Sequence, residues 1–221
     1  MDAATRNVRP KCPETRHQGG VQARGDTDMK HRASRELFMY WNELRGVRQA
    51  PERGEIDPGA IRGVLGDTIM LAREPDRAAT FRLAGTRVCA LFGRELKTEA
   101  FQPLWDTASR RDLDDLLDHA CDESIGFVAG AMAHVDDGEP AALELLLLPL
   151  LHRGASDGRL IGTLAPMSRP AWLGMQAACT LMLTSWRHVG PQIDQGIVPR
   201  FADIPAEIDG RGWSVHDGGR R

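Results

Sequence analysis

The sequence predicts an α+β domain: a five-stranded antiparallel sheet with helices across one face and an N-terminal helix capping the other. Three observations point there. Two stretches carry apolar residues at helical spacing, Leu37, Phe38, Trp41 and Leu44 in one and Leu113, Leu116, Leu117, Ala120 and Cys121 in the other. Short runs of strand composition, bounded by Gly, Pro and Asp, come as a pair, then helical sequence, then a set of three. The run 143–151 places leucines on both alternating faces, whereas a half-exposed antiparallel strand would alternate with polar residues, so both faces of the sheet need covering.

Residues 1–33 are polar, rich in Arg, Gly and Asp and without periodicity. They cannot bury enough apolar surface to offset the entropy of ordering, and a disordered extension is expected. Met29 stands directly before the patterned region and is an alternative start to Met1. The folded domain is expected over 34–167. Ser34 is placed as the N-cap of the first helix, which Gly46 ends before Pro51 and Pro58 break the chain. Strands at 68–72 and 80–84 read as a hairpin around Glu74-Pro75-Asp76. A short helix over 86–92 stops at Gly93, and a loop holding Phe101, Pro103 and Trp105 leads to a helix over 109–123, with Ser109 as cap and Asp112 three residues on.

Three strands follow at 126–134, 143–151 and 159–166, joined by Asp136-Asp137-Gly138 and Ser156-Asp157-Gly158. Pro149 cannot donate to a ladder, so it should mark a bulge or the fraying end of its strand. Between 170 and 186 the pattern fits a helix through Met175, Ala178, Cys179, Met182, Leu183 and Trp186, and a strand through Leu181 and Leu183. Residues 168–190 are expected as a C-terminal extension packed on or near the core. Residues 191–221, punctuated by Gly and Pro, are expected as a loosely ordered tail.

A chain of 221 residues, 42% hydrophobic, can bury one substantial core with length left for tails. A net charge of −3 and 5% aromatics supply neither the electrostatic footprint nor the stacking platforms of a nucleic-acid binder. Lysine appears only as Lys11, Lys30 and Lys97, the other positive charges being arginine, a compositional habit rather than a recognition surface. Cys12, Cys89, Cys121 and Cys179 are irregularly spaced with no CxxC pair, which suggests neither a zinc site nor a disulfide framework and fits a reducing cytoplasm. No apolar run approaches the ~20 residues needed to span a bilayer, and the N-terminus lacks an apolar signal core.

No phosphate-cradling Gly loop, dinucleotide fingerprint, zincin helix or nucleophile elbow occurs, so the protein is not expected to be an enzyme. Asp112, Asp115, Asp118 and Asp122 are read as a solvated helix face rather than metal ligands or paired catalytic carboxylates. Arg45, Arg48 and Arg53 are read as capping the end of the first helix rather than recognising an anion.

The segment Tyr40-Trp41-Asn42-Glu43-Leu44-Arg45-Gly46-Val47-Arg48-Gln49-Ala50-Pro51-Glu52-Arg53, with Phe81-Arg82-Leu83-Ala84-Gly85-Thr86, Phe92-Gly93-Arg94-Glu95-Leu96 and Leu146-Leu147-Leu148-Pro149-Leu150, resembles in order and spacing the small single-domain bacterial PAS proteins that carry no output domain. The resemblance runs over residues 34–174. It implies a PAS fold and a sensor or adaptor whose output a signalling protein partner delivers. Some PAS relatives hold haem through a helical histidine, but His119 lies about 130° from the centre of the leucine face on a helical wheel. The asparagine-cysteine-arginine motif of flavin-binding relatives is replaced by Arg87-Val88-Cys89-Ala90-Leu91. Cys89 is therefore read as a buried apolar thiol, and no cofactor is expected.

A sensed ligand is expected to be small and apolar, lying between sheet and helices near Phe81, Leu83, Val88, Leu91, Phe92, Leu113, Leu116 and Leu117, the inward positions by periodicity. Self-association as a homodimer is expected through Leu37, Phe38, Trp41 and Leu44, unless residues 170–186 fold back over that face. Two alternatives stand beside the sensor: a small-molecule enzyme using the same cavity, and a dimerisation module whose interior is filled.

Overall fold

A computed structural model describes residues 29–74, 76–151 and 158–190. The disorder expected for 1–28, the tail 191–221, Cys12 and the turn at Ser156 and Asp157 lie outside the described residues. The first element, α1 (Arg32–Arg45), starts ahead of the expected N-cap. His31 occupies that position, its ring nitrogen accepting from the Ala33 N–H, while Ser34 sits inside the helix and shares a 3.0 Å hydrogen bond with Thr163 Oγ1. Met29 and Ala33, expected in the extension over 1–33, are buried in the outer cluster. Gly46, at φ 56°, ends the helix.

The strands are β1 (Thr68–Arg73), β2 (Ala79–Ala84), β3 (Gly126–His134), β4 (Ala141–Leu150), β5 (Gly158–Pro166) and β6 (Thr180–Val189). All pair antiparallel in the order β2-β1-β5-β4-β3-β6. The five expected strands are present and adjacent, and the sheet gains a sixth where the sequence was ambiguous. Residues 180–189 pair with β3 rather than folding over the outer face. A register shift explains the ambiguity: Leu181 and Leu183 oppose Ala133 and Ala131, Thr184 is extra, and the inward set then moves to Trp186 and His188. Inward spacings of two, three and two mimic a helical period.

The helices α2 (Thr86–Phe92) and α3 (Thr107–Asp122) lie on the inner face of the sheet, with α1 on the outer. The two-faced leucine strand divides cleanly. Leu143, Leu145 and Leu147 join the inner cluster, while Leu146, Leu148 and Leu150 join the outer one with Leu37 and Trp41. Trp41 also donates its indole N–H to the Pro149 carbonyl at 2.8 Å. Pro149 keeps register opposite Leu160 without a bulge and stands one residue from the end of β4. Beyond it the chain pairs once more, Arg53 N–H donating to Leu151 O and Leu151 N–H to Pro51 O, each at 2.9 Å.

Helix α3 is capped by Asp106, which accepts from the Ser109 N–H, and not by Ser109. The Ser109 hydroxyl instead accepts from the Leu183 N–H at 2.8 Å, and Asp106 N–H donates to Leu181 O. The free edge of β6 is thereby occupied along its first half. At the opposite edge Phe81 N–H donates to Glu99 O, Thr98 N–H to Phe81 O and Phe101 N–H to Ala79 O, so β2 is covered as well. An edge so covered offers less unpaired backbone as a template for another chain.

Candidate functional site

The inner face is built from side chains that alternate along β1, β3, β4 and β5 and meet the apolar stripes of α2 and α3. Of the residues expected to line a cavity there, Phe81, Val88, Leu91, Phe92, Leu113, Leu116 and Leu117 are buried together in one cluster. Leu83 is not. Arg82 is extra between the pairs Leu71↔Phe81 and Met70↔Leu83, so strand parity reverses and Ala84 turns inward while Leu83, 39% exposed, faces outward beside Met70. The bulge is invisible to a period-two count.

Much of the interior belongs to residues that the helical and strand periods do not single out. Phe101 and Trp105, from the loop before α3, are fully buried and stack edge-to-face with each other at 5.7 Å, and Phe101 meets Phe81 likewise at 5.5 Å. The signal that could have found them is three aromatic or proline residues in a five-residue loop, too many apolar groups to leave in water. Within this apolar cluster the Trp105 indole Nε1 is buried and has no hydrogen-bond partner. An unmade buried donor is uncommon in native proteins and marks a place where an acceptor is wanted.

The cysteines are quiet. Burial pushes the Cys89 thiol up, with Glu95 close by adding to the rise, and burial pushes Cys121 up to about 11. Both remain protonated near neutrality, Cys121 even though Arg73 favours its thiolate, because burial outweighs that charge. His119 is exposed on α3, its Nδ1 2.7 Å from the Asp115 carbonyl, rather than turned into the apolar interior. Its ring instead meets His188 of β6 at 5.8 Å. Among the described residues no three His, Cys, Asp or Glu side chains form a group able to hold a metal ion.

Part of the acidic face of α3 is structural. Arg73, only 6% exposed, pairs with Asp118 at 2.7 Å and with Asp114 at 3.2 Å, and Arg77 also pairs with Asp118. Asp118, expected in solvent, therefore ties α3 to the β1–β2 hairpin. At the end of α1, Arg48 donates to the Leu44 and Arg45 carbonyls, the capping contact expected, and grips both carboxylate oxygens of Glu55 at 2.9 and 3.0 Å, while Arg45 lies 5.7 Å from the centre of the Trp41 ring.

The face expected to form a dimer is largely used within the chain. Leu37 and Trp41 are fully buried against the sheet, Phe38 and Leu44 half-buried at the flank and end of α1. Within the chain, Leu37 and Trp41 are received by β4 and β5, and Phe38 packs against the same cluster. No helix among the described residues is long and apolar enough to cross a membrane. Compared with known protein families, residues 29–165 match the one described as PAS domain, well over half of the chain, and no curated protein matches.

Proposed function

The chain belongs to the PAS-domain family, and from that premise we propose that it senses a small apolar molecule between the sheet and helices α2 and α3, and passes the signal to a protein partner. PAS domains are sensory and regulatory modules, and that coarse role is this chain's. The observation that carries the finer reading is Trp105. Leaving a buried donor unmade costs about 1–3 kcal/mol, which an acceptor on a bound molecule would offset, while Phe81, Leu91, Leu113 and Leu116 hold its apolar part.

A binding role rather than catalysis is supported by the raised thiols of Cys89 and Cys121, neither activated as a nucleophile. Output through a partner would use a face of the domain or the second half of β6, since residues 98–101 occupy the β2 edge and residues 106–109 the first half of the β6 edge. A homodimer remains part of the proposal in altered form, through the half-buried Phe38 and the 69% exposed Met39 of α1. The cytoplasm is proposed as its compartment, since Cys89, Cys121 and Cys179 are free thiols.

Native mass spectrometry of freshly purified protein, before and after extraction with organic solvent, tests the ligand reading. A small-molecule adduct lost on extraction is the expected result. Apo mass in every preparation, with no rise in melting temperature on adding methyl nonyl ketone as an apolar probe with one acceptor, overturns it.

A further inference from the structure

The seam between α3 and β6 is lined by two histidines, one from each element. After the extra residue at Thr184, Trp186 and His188 oppose Ala129 and Phe127 of β3 and turn toward the inner face. There the His188 ring meets the His119 ring edge-to-face, with centroids 5.8 Å apart, and the Trp186 ring at 5.3 Å. The Asp115 carbonyl can only accept, so the His119 nitrogen 2.7 Å away carries its proton. His188 Nδ1 is buried with no hydrogen-bond partner.

The groups facing His188 are few. From α3 come His119, whose charge opposes a charge on His188, and Glu123, which favours one. Asp115 lies one turn before His119. From β3 the register partner is the apolar Phe127, and from β6 itself Trp186; Arg187 opposes Val128 on the outer face. Burial first, then His119, holds the His188 imidazole below the ordinary histidine range.

We propose that the His119–His188 contact is an acid-sensitive seam: protonating His188 sets a cation, with no acceptor at its buried nitrogen, beside a second histidine, and the C-terminal half of α3 loosens from β6. Histidine is the side chain whose charge changes between about pH 5 and pH 8, so the seam responds to mild acidification. The N-terminal end of α3 stays attached to β6 through the Ser109–Leu183 bond, and the Arg73–Asp118 pair keeps the helix tied to β1. The effect is local. It gives the domain an input of its own, separate from whatever occupies the interior.

The sign follows from the lowered value. The unfolded chain binds the proton more readily than the folded one, so the contact is at full strength above the unfolded value near 6.5 and weakens as pH falls through the folded value. Hydrogen–deuterium exchange of the wild-type protein at about pH 7.5 and about pH 5.5, corrected for intrinsic rates, reads it directly. The expected result is roughly five-fold or faster exchange at the lower pH for the end of α3 and for 186–189, with β1 and β5 unchanged. His188→Phe, which keeps a ring without a titrating nitrogen, should remove that difference. Equal acceleration in His188→Phe, or none in the wild type, overturns the proposal. So does a His188 imidazole that titrates by NMR at or above the ordinary histidine value, a measurement that needs no variant.

Discussion

The carboxylate of Glu144 on β4 accepts the backbone N–H of His31, the N-cap of α1, at 2.9 Å, and with its other oxygen the N–H of Lys30 at 2.7 Å. The carboxylate is only slightly exposed and stands on the outer face of the sheet, where the neighbouring outward residue of β4 is Leu146. A negative charge there meets the positive end of the helix dipole and satisfies the N–H of the N-cap and of the residue before it. The helix is therefore registered on the sheet at its start by Glu144, near its first turn by Ser34 on Thr163, and near its end by Trp41 on the Pro149 carbonyl.

Replacing Glu144 by Ala should destabilise the domain by about 1–3 kcal/mol, because two backbone donors lose their partner. Urea unfolding followed by circular dichroism measures it. A midpoint equal to that of the wild type would show that solvent replaces the carboxylate without loss.

Trp41 combines a fully buried indole with a hydrogen bond, and the two contributions can be separated. Trp41→Ala should cost about 3–5 kcal/mol. Trp41→Phe keeps most of the apolar contact but orphans the Pro149 carbonyl, and should cost about 1–2 kcal/mol. If both variants unfold at the wild-type midpoint, α1 does not fold cooperatively with the sheet.

Arg73 is buried between β1 and α3, while its partner Asp118 is 28% exposed. Full burial of a broken ion pair costs roughly 3–5 kcal/mol; exposure on the carboxylate side screens the interaction and lowers the expectation for Arg73→Ala to roughly 1–3 kcal/mol. The double-mutant cycle with Asp118→Asn should show a coupling of about 1 kcal/mol or more. Strict additivity would mean that the pair contributes geometry and no energy.

What the sequence made legible followed its periods, and what it hid followed breaks in them. The stripes of α1 and α3 and the two-faced leucines of β4 announced both covered faces, since each period ran uninterrupted through its element. At β2 and β6 one extra residue, Arg82 or Thr184, reversed the alternation, so Leu83 was expected inside and a strand read equally as a helix. Caps misled for a related reason. Ser34 and Ser109 are good capping residues by type, but each hydroxyl is engaged across the fold, with Thr163 and with the Leu183 N–H, partners that no local window contains. The interior site suffers most, because Phe101 and Trp105 reach it from a loop that follows no period.

Cys121 lies at the crossing of α3 over the start of β5, and burial holds its thiol up to about 11. At pH near 8 its thiolate fraction is on the order of 100-fold below that of an ordinary cysteine, and alkylation should be slowed in proportion. A raised value also couples to folding: the contribution is complete below the unfolded value near 9.0 and is lost as pH rises toward about 11. Peptide mass spectrometry after timed iodoacetamide treatment of native and urea-unfolded protein checks the rate. Equal labelling in the two states would place Cys121 in a more open site than the packing shows.

Self-association separates what α1 buries from what it leaves accessible. Leu37 and Trp41 are committed to the sheet, so substituting them perturbs folding and says nothing about a dimer. Phe38 stacks on Trp41 at 6.1 Å yet stays half-buried, and Met39 is exposed beside it, so a charge at Phe38 reaches the accessible flank of the helix. A two-fold pairing would bring the same patch of both copies together and place two introduced carboxylates close to each other, a repulsion that a monomer never meets. Light scattering at micromolar concentration should therefore give a dimer for the wild type and a monomer for Phe38→Glu, the variant keeping its circular dichroism spectrum. A wild-type monomer removes the homodimer from the proposed function, and a dimer that survives Phe38→Glu moves the interface to another face of the domain.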